Sequence, residues 1–218
     1  MLAGGAGGRE TADVGEGPLV VLGGTFDPPH VGHLVLAECA RWQVGATRVL
    51  FVPAGDPYRK TGTATPENAR AGLPAGRREV TPGWVRAEMV RLAVAGNPAF
   101  AVDEREVRRP GPSYTVETLA GLRAEGWGEL VLVLGSDAAA DLGNWREPER
   151  VRALARVVVA EKPGVPVPAG FERVEMPPLG VSSTSIRERV RAGKPIRYLV
   201  PAAVEAFIVE RGLYRGGG

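Results

Sequence analysis

The chain has 218 residues, enough to bury one sizeable core in one domain. Apolar residues make up 44% and charged residues 24%, a globular balance, and the formal charge of +2 is too small to choose between nucleic acid and a small anion as partner. One cysteine, Cys39, excludes an intrachain disulfide and a cysteine-cluster metal site, and no apolar run approaches the roughly 18 residues of a membrane span.

Residues 1–17 are Gly-rich and acidic, without the basic start and apolar centre of a secretory signal. They read as a disordered tail, and the protein as cytoplasmic. An apolar strand over 19–22 leads into a helical pattern over 31–44, then a strand over 48–53. Residues 61–83 break the rhythm with Gly62, Pro66, Gly72, Pro74, Gly76 and Pro82, and read as a mobile loop beside the site. Further helices are expected at 84–95, 115–125, 147–153, 183–192 and 201–211. Further strands are expected at 100–107, 130–134 and 157–160, with a weaker one at 172–176. This alternation predicts an α/β fold: a Rossmann-like, doubly wound, mostly parallel sheet with C-terminal helices, in a single domain over 18–215. Such sheets bind substrates at the carboxyl ends of their strands, where the strand order switches.

The first strand-to-helix turn carries the densest signal: Gly23-Gly24-Thr25-Phe26-Asp27-Pro28-Pro29-His30-Val31-Gly32-His33. Gly23 and Gly24 leave room for a ligand beside the backbone, and the two prolines stiffen the loop. His30 stands just before the helix and His33 in its first turn, and the chain has no other histidine. Two imidazole donors beside a helix N-terminus suit a polyphosphate. Two other readings compete. Zinc needs three or four ligands, and neither a third histidine nor a metal-ligand spacing is present, so no residue is named as a metal ligand. A structural capping role for the histidines is the other.

A second hydroxyl-rich helix start, Ser182-Ser183-Thr184-Ser185-Ile186-Arg187-Glu188, again offers N–H groups to phosphate, with the planar fork of Arg187 one turn in. The bland alternative is a capping box, which Ser185 and Glu188 satisfy on spacing. Ser113-Tyr114-Thr115 opens a helix after Pro110-Gly111-Pro112, where N–H groups can receive a carboxylate. Asp137, just after Gly135 at the end of a strand, can accept from ribose hydroxyls or cap the helix that follows. Trp145 offers an aromatic face to a heterocycle or plugs a loop.

The string at 23–33 resembles the signature of the His-x-Gly-His nucleotidyltransferase superfamily, and more closely that of its bacterial nicotinate-nucleotide adenylyltransferases. Further matching segments are Asp103-Glu104-Arg105-Glu106, the run from Pro112 to Leu119, Leu134-Gly135-Ser136-Asp137 with Trp145, Val181 to Arg187, and Gly212-Leu213-Tyr214-Arg215. The resemblance spans about residues 19–215 in the family's order. It implies transfer of the adenylyl group of ATP, with Mg²⁺, to nicotinate mononucleotide, in the making of NAD. His30, His33 and Arg187 would be catalytic. Gly23, Gly24, Thr25, Phe26, His33, Gly135, Asp137, Ser182, Ser183, Thr184, Ile186 and Arg187 would hold ATP. Thr25, Arg59, Lys60, Ser113, Tyr114, Thr115 and Trp145 would hold the mononucleotide, with Trp145 on the pyridine ring.

This chain departs from the family string at Pro57-Tyr58-Arg59-Lys60, where Arg59 stands in the place of a histidine, and at Lys162-Pro163-Gly164, where lysine replaces arginine. Trp42, Trp84 and Trp127 match nothing in the family and read as packing residues. The expected partners are small molecules, with no nucleic acid and no membrane, and a homo-oligomer is open. A related transferase with a nicotinamide mononucleotide or phosphopantetheine acceptor, or a binding module without turnover, are the alternatives.

Overall fold

The computed structural model describes residues 17–72 and 79–216. In chain order its elements are β1 (Leu19–Gly24), α1 (Val31–Gln43), β2 (Arg48–Pro53), α2 (Tyr58–Thr61), α3 (Pro66–Arg70), α4 (Gly83–Val94), β3 (Phe100–Val102), α5 (Arg105–Arg108), α6 (Thr115–Ala124), β4 (Leu130–Gly135), α7 (Ser136–Ala140), a 3-10 turn (Leu142–Asn144), α8 (Pro148–Leu154), β5 (Arg156–Ala160), β6 (Glu172–Val174), α9 (Ser183–Arg191) and α10 (Ala202–Glu210). Among the described residues six strands form one sheet in the order β3-β2-β1-β4-β5-β6, and every neighbouring pair is parallel. This is the expected doubly wound α/β sheet. The chain runs outward from β1 to β3 and then returns to the other side of β1. The switch therefore falls between β1 and β4, whose carboxyl ends flank a natural crevice.

Side-chain alternation along the two central strands builds both faces of the core. Leu19 and Val21 of β1 join Leu130, Leu132 and Leu134 of β4 against α6 and α8. Val20 and Leu22 join Val131 and Val133 against α1 and α4. A third cluster ties α4 to α9 and α10 through Val85, Met89, Ile186, Val204 and Ile208. It matters for function because it seats α9 beside the first turn.

Several local expectations need correction. The strand expected over 100–107 stops at Val102, because Asp103 accepts the Arg105 N–H at 2.8 Å and turns the chain into α5. The stretch expected to be loop from 61 to 83 contains α3, whose Thr65 cap accepts the Asn68 N–H at 3.1 Å with Pro66 in the first turn. The Asn68 amide then donates to the carbonyls of Tyr58 and Thr63, both at 2.8 Å. Residues 73–78 of that stretch, and 1–16 of the expected tail, lie outside the described residues. Trp127 is buried as expected, but Trp42 and Trp84 are not packing residues, with 82% and 60% of their surface exposed. Cys39 is half-buried against the α1 side of the core. Among the described residues no helix is long and apolar enough to cross a membrane.

Candidate active site

The turn after β1 is built tightly. Phe26 has left-handed backbone (φ 52) and a buried ring folded back over Gly24. A Cβ at Gly24 would lie 2.8 Å from that ring, so glycine is required there by Phe26. The edge of Phe26 supports His33, with ring centroids 5.0 Å apart. His30 is the N-cap of α1, and its backbone N–H donates to His33 Nδ1 at 3.1 Å. An Nδ1 that accepts places the His33 proton on Nε2, leaving that N–H for another acceptor. The two imidazoles stack at 3.7 Å. Burial lowers His30 to about 4 and holds His33 well below the usual histidine range, where a proton on His33 would also meet the neighbouring His30 and the Lys60 ammonium. At neutral pH both rings are therefore neutral donors. Capping and ligand donation are not exclusive, since His33 caps with one nitrogen and keeps the other.

Two buried arginines fix this turn from below. The Arg86 guanidinium of α4 donates to the carbonyls of Thr25 (2.6 Å), Ala54 (2.6 Å), Gly55 (3.0 Å) and Thr81 (2.7 Å). Arg187 of α9 donates to the Asp27 carbonyl at 2.7 Å and to the Thr184 hydroxyl at 3.3 Å. Ser183 Oγ donates to the Pro28 carbonyl at 2.8 Å, so the start of α9 is stitched onto the first turn. The capping box expected from Ser185 and Glu188 is instead Ser182 with Ser185, whose hydroxyls accept each other's backbone N–H groups at 3.1 and 3.2 Å. Ile186 does not reach the cleft. Its side chain is fully buried in the α4–α9–α10 cluster and its N–H bonds to the Ser182 carbonyl at 3.0 Å.

Across the cleft, Asp137 lies in the first turn of α7 and Gly135 takes the cap position. Burial works against its charge, but the Lys162 ammonium at 2.6 Å and nearby N–H groups hold its carboxyl below the usual range. Arg59 ion-pairs with Asp141. Ser113 Oγ accepts the Gly55 N–H at 2.9 Å, and its own N–H donates to the Asp56 carbonyl at 3.0 Å, which joins the start of α6 to the end of β2. Tyr114 packs on Tyr58 at 5.1 Å and under the Arg146 guanidinium at 4.5 Å. Trp145 is partly buried against the core, and its indole N–H is buried with no partner among the described residues.

These walls enclose a cleft of about 720 Å³ at the switch point. It is lined by Gly23, Gly24, Thr25, Phe26, His30, His33, Arg59, Lys60, Ser113, Tyr114, Thr115, Gly135, Asp137, Trp145, Ser182, Ser183, Thr184 and Arg187. All the expected site residues except Ile186 therefore converge from five separate segments. Asp27, inside the first motif but given no role there, also lines it, as do Asp141 and Arg146, which no motif marked. Arg86 lies beneath it, and nothing in the sequence distinguishes it from Arg91 of the same helix.

Such a cleft, with two helix starts, neutral imidazole donors and buried guanidiniums, defines an α/β protein that binds nucleotide phosphates. The cytidylyltransferase-like family model matches residues 21–189. A Roseiflexus relative named "Probable nicotinate-nucleotide adenylyltransferase" is 44% identical over 91% of this chain and 98% of its own length. A Thermomicrobium roseum relative of the same name is 42% identical over 90% of this chain and 91% of its own. The chain belongs to the cytidylyltransferase-like family, among the nicotinate-nucleotide adenylyltransferases. The fold matches a solved structure of Plasmodium falciparum nicotinic acid mononucleotide adenylyltransferase complexed with APC, with a TM-score of 0.69, 14% identity, and 91% of this chain and 97% of that one covered. The same enzyme complexed with NaAD gives a TM-score of 0.67 at 15% identity over 91% and 97% of the two chains.

Proposed function

We infer that this chain transfers the adenylyl group of ATP to nicotinate mononucleotide, giving nicotinate adenine dinucleotide and pyrophosphate, a step in the making of NAD. The observation that carries this reading is the meeting of two helix starts, capped at His30 and Ser182, on one cleft with stacked neutral imidazoles. Relatives above 40% identity over nine-tenths of the chain support the choice of reaction.

The phosphate of the mononucleotide attacks the α-phosphorus of ATP in line, and pyrophosphate leaves. The attacking oxygen is already anionic at neutral pH, so no covalent intermediate is needed and catalysis is positioning plus charge stabilisation. His33 Nε2–H and the His30 ring donate to the phosphate oxygens as charge builds toward the leaving group. The N–H groups at the start of α9 and the unused donors of Arg187 hold the triphosphate tail. Asp137 takes a ribose hydroxyl. On the acceptor side, Trp145 stacks on the pyridine ring, and the N–H groups of Tyr114 and Thr115 receive its carboxylate. Ser113 contributes by fixing that helix start. Lys60 and Arg59 meet the acceptor phosphate, with Arg59 exchanging Asp141 for it.

Among the described residues no three His, Cys, Asp or Glu side chains converge as a metal cage, and the donors of the cleft are N–H groups and cations. This set fits phosphate oxygens and does not fit a bare divalent cation. Mg²⁺ is therefore proposed as the companion of ATP, held by phosphates and water. The cytoplasm, which supplies both nucleotides, is the proposed location.

The test is pyrophosphate release from ATP and Mg²⁺ with each of three acceptors: nicotinate mononucleotide, phosphopantetheine and a sugar-alcohol phosphate. Release with the mononucleotide, together with a dinucleotide product, is expected. ATP binding without release under every acceptor would make the chain a binding module, and a faster reaction with another acceptor would make it a different transferase.

A further inference from the structure

Arg86 is almost fully buried, at 1% exposed, and its guanidinium ends on four backbone carbonyls. Burying a guanidinium without a bidentate carboxylate is costly, and each carbonyl it holds must therefore be held in place. The four belong to parts of the cleft far apart in sequence. Thr25 lies in the phosphate turn, Thr81 just before α4, and Ala54 and Gly55 directly after β2, where the Gly55 N–H also donates to Ser113, just before α6. One side chain thus fixes the spacing between the turn that faces ATP and the segment that leads to the acceptor side. A second tie meets it. Tyr214, near the end of the chain, donates to Asp27 Oδ1 at 2.7 Å, beside Thr25 in the same turn.

We propose that Arg86 is a positioning residue for adenylyl transfer, setting the distance between the donor and acceptor halves of the cleft, with Tyr214 as a second tie on the same turn. This rests on the reaction proposed above. In-line attack requires the two phosphates in near-contact, and a misplacement of about 1 Å costs about a hundredfold in rate. Lysine keeps the charge of Arg86 but presents a single ammonium that cannot span four carbonyls.

The experiment compares the wild-type chain with Arg86→Lys and Arg86→Gln. It measures kcat and both KM values by pyrophosphate release, circular dichroism for folding, and amide exchange of the peptides covering 25–27 and 54–56. Expected are a fall in kcat of about a hundredfold with both KM values within about threefold, faster exchange in both peptides and an unchanged helical signal. A folded variant with kcat within about twofold of wild type, a loss confined to KM, or unchanged exchange overturns the proposal. Should neither variant fold, Tyr214→Phe carries the test, because it removes one donor without leaving a cavity. A kcat loss of about fivefold at steady KM supports the tie, and an unchanged kcat overturns it. If the wild-type chain itself releases no pyrophosphate, the adenylyl-transfer reading fails, while the exchange comparison still decides whether Arg86 fixes the turn.

Discussion

The two walls of the cleft hold their cations in opposite ways. On the β1 wall, Arg86 and Arg187 are buried and donate to backbone carbonyls. On the β4 wall, Lys162 pairs with Asp137 and Arg146 with Glu117, and Asp141 pairs across the cleft with Arg59 of α2, all in partly exposed contacts. A carbonyl holds a guanidinium without cancelling its charge, whereas a carboxylate cancels it. Asp27, the acid near Arg86, is engaged by Tyr214 and, at 3.4 Å, by the Thr81 N–H. The β1 wall therefore presents its donors, Arg187 and the two imidazoles, without an ion pair to break first, while Arg86 fixes the turn beneath them. The β4 wall must give up ion pairs first, and a solvent-exposed pair such as Lys162–Asp137 contributes only about 0–1 kcal/mol. In the proposed reaction the first wall would serve the chemistry and the second the exchange of ligands.

The largest effect expected from this contrast is at His33. His33→Ala should lower kcat/KM by about 10²–10³ while the melting temperature stays near that of wild type. Near-normal turnover would break the contrast at its centre. Ile186 lies behind the same wall, in the core. Ile186→Ala should cost about 2–5 kcal/mol in urea unfolding and leave the KM for ATP of the folded protein unchanged. A raised KM with intact stability would return Ile186 to the nucleotide site.

On the exchanging wall, Trp145→Ala should raise the KM for nicotinate mononucleotide roughly tenfold, the scale of one aromatic stacking contact. An effect on the KM for ATP alone would mean that the ring contact is misassigned. The smallest effect is on the pH dependence of stability. The folded protein holds His30 at about 4 by burial, below its unfolded value, so the unfolded chain binds more protons between those values. The stability from burying this neutral ring is fully present above about pH 6.5 and is lost as pH falls toward 4. The urea midpoint should drop between about pH 7 and pH 5 through both His30 and His33, and His30→Gln should reduce that drop without abolishing it. An unchanged slope in the variant would remove His30 as a contributor.

Legibility in the sequence followed the same divide. The β1 turn and the α9 start could be read because their chemistry is local, with glycines, hydroxyls and histidines at fixed spacing along one helix entry. β-branched runs gave the strands of the sheet for the same reason, and β2 was expected at its observed limits. What could not be read depends on partners distant in sequence. Arg86 meets Thr25 across 61 positions, and Arg59 meets Asp141 across 82. The α5 turn was missed because Asp103 competes with the strand through one side-chain bond, which periodicity does not register. The family resemblance implies that Ile186 holds ATP with the rest of its motif, but helical geometry turns its side chain to the opposite face, into the core.

In the proposed reaction the acceptor is chosen at the start of α6, by N–H groups that suit a carboxylate. The direct test is kcat/KM for nicotinate mononucleotide and nicotinamide mononucleotide, measured side by side with ATP and Mg²⁺. A site that pairs its donors with the acid leaves them unsatisfied by the amide, and the acid should be preferred by at least about tenfold. Equal or faster use of the amide would contradict the account.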